Sequence, residues 1–192
     1  MRILTYFSSD LHLGHDAAIV HNSRPFKNVD DMDRTIIRRW NAKVKDSDIA
    51  FLIGDICFHR PVVGIPLLRQ MKGRKILIQG NHDKYSHAQY LSAGFSVVQE
   101  ATIDLVGKRF RLSHYPYPPT EAERAVMEAH DLRYMDRRPT KSEEDFLLCG
   151  HVHKSWKTNG TMINVGVDQW NFHPVSQGDI ESLIHSIRKT AV

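Results

Sequence analysis

A chain of 192 residues holds one sizeable hydrophobic core and at most a small cover beside it, so a single domain over 1–192 is expected. Its 41% hydrophobic and 25% charged residues exclude a disordered chain, and no apolar run approaches membrane-spanning length. The net charge of +4 is compatible with phosphate-rich ligands but does not by itself establish nucleic-acid binding.

The amino terminus, MRILTYFSSDLHLGH, turns polar too soon for the apolar region of a signal peptide, and a cytoplasmic protein is expected. RILTYF at 2–7 and IAFLI at 49–53 read as buried strands. Between them, Met32, Ile36, Trp40 and Val44 recur every four residues, as one face of a helix whose start Asp30 and Asp31 would cap and charge. A second helix is predicted from Val62 to Met71, then a strand at KILIQ, 75–79, and a third helix over about 84–93. AGFSVVQEATIDLVGKRFRL follows as consecutive strands, and FLLC at 146–149 and TMINV at 161–165 add two more. The last predicted helix is capped by Ser176 and turns Ile180, Leu183, Ile184 and Ile187 to one side. Helices early and strands late argue for an α/β chain with mixed sheets. Cys57 and Cys149 each end an apolar segment, where a small buried residue is expected and a disulfide is not.

Residues 115–145 break the rhythm. Three prolines crowd the start of this segment, and it carries five basic against eight acidic residues. It reads as an excursion with a short helix near 120–130, serving either as an active-site cover or as a solvated insertion.

Nearly every apolar run ends in residues of metal-ligand type: Asp10 and His12, Asp55, Asn81 and His82 within GNHD, His114, then His151 and His153. A turn after a strand needs a glycine and an asparagine at most. Asp10 and His12, two apart, would share one side of an extended strand, as would His151 and His153. In an α/β sheet, ligands gather beyond the carboxyl ends of strands, so five such ends can converge. Mixed nitrogen and oxygen donors suit Mn, Fe, Zn, Co or Ni better than Ca, and structural zinc would ask for cysteines that these positions lack. His21, His87, His130 and His185 follow no strand and read as surface histidines.

The order and spelling of these blocks, D-x-H, G-D, G-N-H-D, a lone His and G-H-x-H, resemble the calcineurin-like metallophosphoesterase superfamily. SSDLHLGH, RPF, RRWN and NVGVDQWNFHPVS are similar to a small bacterial and phage branch of it. The resemblance implies a two-sheet β-sandwich flanked by helices, with the site at the sheet edge. It further implies two divalent transition-metal ions, manganese foremost, one held by Asp10, His12, Asp55 and His153 and the other by Asp55, Asn81, His114 and His151. Asp55 would bridge ions roughly 3.5–4 Å apart, a bridging hydroxide would attack phosphorus, and His82 would protonate the leaving oxygen. Asp83 would either orient His82 or cap the next helix.

Protein phosphatases of the superfamily follow G-D with x-x-D-R-G, whereas this chain reads GDICFHRP, which argues against that activity. His59 and Arg60 are then candidate phosphate contacts or solvated loop residues, and His15 is a candidate substrate contact. Trp170 reads as core rather than as a base-stacking ring. The expected activity is hydrolysis of phosphodiesters, or of phosphomonoesters, in nucleotides or short oligonucleotides, with a catalytically silent binding module as the rival.

Overall fold

The computed structural model describes residues 2–125, 132–141 and 146–190. The expected Ile187 side chain, His130 and part of the expected 120–130 helix lie outside the described residues. In chain order the elements are β1 (Thr5–Ser8), α1 (Asp16–His21), α2 (Val29–Lys43), β2 (Ile49–Ile53), α3 (Pro61–Arg69), β3 (Arg74–Ile78), α4 (His87–Ser92) and β4 (Phe95–Val98). Then come β5 (Ala101–Leu105), β6 (Lys108–Leu112), α5 (Glu121–Arg124), β7 (Phe146–Cys149), β8 (Thr158–Asn159), β9 (Met162–Asn164), β10 (Val175–Ser176) and α6 (Gln177–Thr190).

The strands form two mixed five-stranded sheets, β10-β1-β2-β3-β4 and β5-β6-β7-β9-β8. In the first, β1 to β4 are parallel and β10 is antiparallel to β1. In the second, β6, β7 and β9 are parallel, with antiparallel β5 and β8 at the edges. The chain changes sheet between β4 and β5, which pair in different sheets although two residues separate them.

The continuous apolar runs arise because both faces of the first sheet are covered. Tyr6, Ala50, Leu52 and Leu77 pack against Met32, Ile36 and Trp40 of α2 and Tyr90 of α4. Their strand neighbours Phe7, Ile53 and Ile78 point the other way and meet Phe110, Leu112, Leu148 and Ile163 of the second sheet, with Ile180 and Ile184 of α6. On the far face of the second sheet, Leu147 and Cys149 lie under Tyr117, with Trp156 and Met162 packed beside them.

Two expected helix starts move. At α2 the cap is Asn28, whose side chain accepts from Asp31 N at 2.9 Å, while Asp30 and Asp31 occupy the first turn. The helix expected from 84 begins at His87, because Ser86 and Gln89 form a reciprocal capping box. Ser176 does cap α6: its hydroxyl accepts from Asp179 N at 3.2 Å, and the Asp179 carboxylate accepts from Ser176 N at 2.8 Å. Among the described residues, no helix is long and apolar enough to cross a membrane.

Candidate metal centre

The parallel strands β1, β2 and β3 of one sheet and β6 and β7 of the other deliver their carboxyl ends to one place. The delivery is not the strand alternation expected from the spacing. β1 ends at Ser8 and β7 at Cys149, and the residues beyond them lie in left-handed conformations: φ is +55° at Asp10, +53° at His12, +56° at Asp55, +72° at His151 and +43° at His153. Each such residue costs of order 1–3 kcal/mol and persists only where its surroundings over-determine it.

Here they do. Asp10 N donates to Gly54 O at 3.0 Å and His12 N to Asp55 O at 3.0 Å, locking the two loops together. His151 N donates to the Asp10 carboxylate at 3.0 Å. Asp83 is buried, and its Oδ2 accepts from Asp55 N and Gly80 N, each at 2.8 Å, while Oδ1 accepts from Ile56 N at 3.0 Å. Asp83 therefore fastens the GNHD turn to the Asp55 loop. The expected capping role gives way, since the cap of the next helix is Ser86 and the Asp83 oxygens meet main-chain donors.

Two triplets offer ligand atoms within 4.8 Å of one another: Asp10, His12 and His153, and Asp10, Asp55 and His114. Asp10 is common to both, and Asp55 Oδ2 also spans them, 3.8 Å from His12 Nε2 and 3.4 Å from His114 Nε2. Asn81 Oδ1 lies 3.2 Å from His114 Nε2, and the His151 ring is 5.2 Å from that of His114. The seven candidate ligands named from the sequence are thus gathered in one place.

The donor set fits divalent cations on an independent observation. His12 is buried, and neither of its ring nitrogens has a hydrogen-bond partner, an arrangement that is costly without a ligand to satisfy it. Two of the other histidines are oriented from behind, as metal-ligating imidazoles are. His114 Nδ1 donates to Ile53 O at 2.9 Å, leaving Nε2 facing the centre. His153 Nδ1 bonds Asp168 Oδ2 at 3.0 Å.

Burial disfavours a charged His114, but the Asp55 carboxylate beside it overrides this and pushes its pKa up to about 10. Burial likewise disfavours a charged Asp55, yet His114, with His12 behind it, holds that carboxyl well below the usual range. Burial and then the charge of His114 bring His151 down to about 3. Without metal the centre therefore holds an Asp55–His114 ion pair beside the neutral imidazoles of His12 and His151, and a cation taking His114 Nε2 must expel its proton.

Arg24 and Asp168 carry roles that sequence reasoning missed. Arg24 grips Asp168 with two bonds of 2.9 Å and donates to the main-chain oxygens of Asp10 at 2.8 Å and Leu11 at 3.0 Å. One buried guanidinium thus holds the Asp10 turn directly and the His153 ring through Asp168. Both residues sit in stretches noted only for their spelling, RPF and NVGVDQWN.

The centre opens into a cavity of about 830 Å3 lined by His12, His15, Asp55, His82, His151 and His153, and also by His21, Arg133, Tyr134 and Lys154. Arg133 and Tyr134 make the described part of the excursion a wall of the site. His82 is held by its N–H, which donates to Asp55 Oδ1 at 2.9 Å, and its ring stands 5.8 Å from that of His12. His15 stacks on Phe58 with ring centroids 3.9 Å apart. His59 turns to Asp33, Nε2 to Oδ2 2.8 Å, and packs its ring over Gly14, while Arg60 is an exposed residue at the start of α3. Neither is among the residues lining this cavity.

The chain is 29% identical over 188 residues to an uncharacterized protein of Methanocaldococcus jannaschii, covering 93% of this chain and 90% of that one. It is 28% identical over 205 residues to the gene 66 protein of Mycobacterium phage D29, covering 96% and 97%. A crystal structure of a protein of unknown function from Aquifex aeolicus superposes with a TM-score of 0.67 at 28% identity, covering 95% of this chain and all of that one. The model of the calcineurin-like phosphoesterase superfamily domain matches residues 1–177, the span that holds every strand end described above, and the chain belongs to that superfamily.

Proposed function

We propose that this protein is a dinuclear metal-dependent phosphodiesterase acting on nucleotides or short oligonucleotides, with phosphomonoesters as poorer substrates. The observation that carries this reading is the juxtaposition of two ligand triplets sharing Asp10 with a histidine, His82, that lines the same cavity and stands outside both triplets. Asp10, His12, Asp55 and His153 would hold one cation, and Asp55, Asn81, His114 and His151 the other, with manganese as the leading candidate. Bound there, such ions neutralise phosphoryl oxygens and lower the pKa of water to near neutrality.

The chain's own residues supply the rest. His82, tethered by its main chain to Asp55, gives its imidazole proton to the leaving alkoxide. Lys154 and Arg133 at the cavity rim attract the substrate phosphate, and His15 on Phe58 forms a flat wall beside His82. A cavity of about 830 Å3 suits a nucleotide better than a duplex. Two buried free cysteines suit a reducing cytoplasm.

The test is a leaving-group series of aryl and alkyl phosphodiesters with metal-reconstituted wild type and His82→Ala. The variant is expected to retain its metal and to lose about 10²–10⁴-fold on alkyl esters, but much less on p-nitrophenyl esters, whose leaving group needs no proton. Equal slowing across the series contradicts the proton-donor role.

A further inference from the structure

A second, smaller pocket of about 280 Å3 adjoins the metal cavity and shares His151, Val152 and Ser155 with it. The proline segment forms one side through Pro116, Tyr117 and Pro119, and the far face of the second sheet supplies Trp156, Asn159 and Met162. Trp156 is half-buried against the Tyr117, Leu147 and Cys149 cluster, and its remaining surface lines this pocket. The lining is therefore apolar and aromatic within one shared wall of the metal centre.

The charged residues of the lining are Glu123 and Arg138, one of each sign. Glu123 is fixed by Thr120 N at 2.7 Å and by Asn159 Nδ2 at 3.2 Å. Those hydrogen bonds, Thr120's foremost, hold its carboxyl below the usual glutamate range, so it is ionised at neutral pH. The Glu123 carboxylate accepts from N–H donors such as exocyclic amino groups, while the Arg138 guanidinium donates to Tyr117 O at 3.2 Å. His82 stands in the other wall, with His12, His15 and Phe58. A leaving group protonated by His82 lies on that side, which leaves the pocket beyond His151 for the part of the diester that stays on phosphorus.

Resting on the phosphodiesterase reading above, we infer that this pocket is a nucleobase subsite: it takes an amino-bearing base of the retained nucleotide between Trp156 and the proline segment, with Glu123 at its rim. The enzyme would then read a base on one side of the scissile phosphate only.

Two substrates with the same leaving group isolate the base: adenosine 5′-(p-nitrophenyl phosphate) and ribose 5-(p-nitrophenyl phosphate). Wild type supplied with Mn²⁺ is expected to favour the adenosine ester in kcat/KM by about tenfold or more, as stacking of one base allows. The ratio should fall towards one in Trp156→Ala, which removes the ring, and in Asn159→Trp, which fills the pocket from a residue outside the metal cavity. Because the ratio is the readout, a variant with reduced total activity still reports. Quenching of tryptophan fluorescence by adenosine 5′-monophosphate, lost in Trp156→Ala, reads the same contact without turnover. Equal turnover of both esters by wild type, or a preference untouched by either variant, overturns the subsite and leaves the phosphodiesterase standing. Turnover of neither ester overturns the phosphodiesterase and the subsite with it.

Discussion

Both oxygens of Asp83 accept from main-chain N–H groups of Asp55, Ile56 and Gly80. Replacing it by asparagine turns one acceptor into a donor facing a donor, so Asp83→Asn is expected to lose about 1–3 kcal/mol in urea unfolding of the metal-free protein. Unchanged stability contradicts the fastening role. The sequence shows Asp83 as a polar residue beside a histidine, which leaves orienting and capping as its visible roles. Its actual partners are backbone groups up to 28 positions away, and a backbone N–H has no sequence signature. The same holds for Asp168, 144 positions from the arginine it pairs with. Asp168→Asn is expected to weaken metal binding about 10–100-fold, read by calorimetric titration of Mn²⁺ into metal-free protein. Affinity equal to wild type contradicts its hold on His153.

At the scale of elements, the turns after β2, β3 and β7 reach the centre through glycines that leave no room for a side chain. A Cβ on Gly150 would lie 1.9 Å from Ser9 Oγ and 2.5 Å from Asp10 Oδ2. On Gly54, where φ is +84°, it would lie 2.4 Å from His114 Nδ1. Gly150→Ala must push Asp10 aside, with an overpacking cost of about 1–3 kcal/mol and loss of bound metal, measured by unfolding and by metal analysis of the purified variant. Metal content equal to wild type contradicts the close approach. Glycines beside the ligand blocks are visible in the sequence as punctuation, but their crowding is a property of two loops meeting. The strand runs were legible because burial on two faces writes itself as unbroken hydrophobicity. The left-handed turns that aim Asp10, His12, His151 and His153 were not, and the strand alternation read from the spacing is not how these residues come together. Helix starts slipped where a nearby Asn or Ser outcompeted the acids expected to cap.

For the whole molecule, two sheets share one buried layer and both cysteines are buried outside it, Cys57 in the cluster with the helices of the first sheet and Cys149 under Tyr117 on the far face of the second. Burial pushes the Cys57 thiol up to about 11 and raises Cys149 as well, so both stay protonated near neutrality. Neither thiol is expected to react with Ellman's reagent at pH 8 until the protein unfolds, when both should. Rapid reaction of one in the native state contradicts the packing. The α/β class and the identity of the seven candidate ligands were legible because local runs and their terminal residues carry them. Sheet order, the crossing between β4 and β5 and the Arg24–Asp168 brace were not, because long-range pairing decides them.

The central claim is that Asp55 joins two cations that together make the protein a phosphodiesterase, and one paired measurement addresses it. Bound metal per chain and hydrolysis of bis-p-nitrophenyl phosphate are measured on the same Mn²⁺-reconstituted samples of wild type and Asp55→Ala. The account predicts two ions and metal-dependent hydrolysis in wild type, with metal and activity lost together in the variant. An Asp55→Ala protein that keeps two ions and full activity would contradict it.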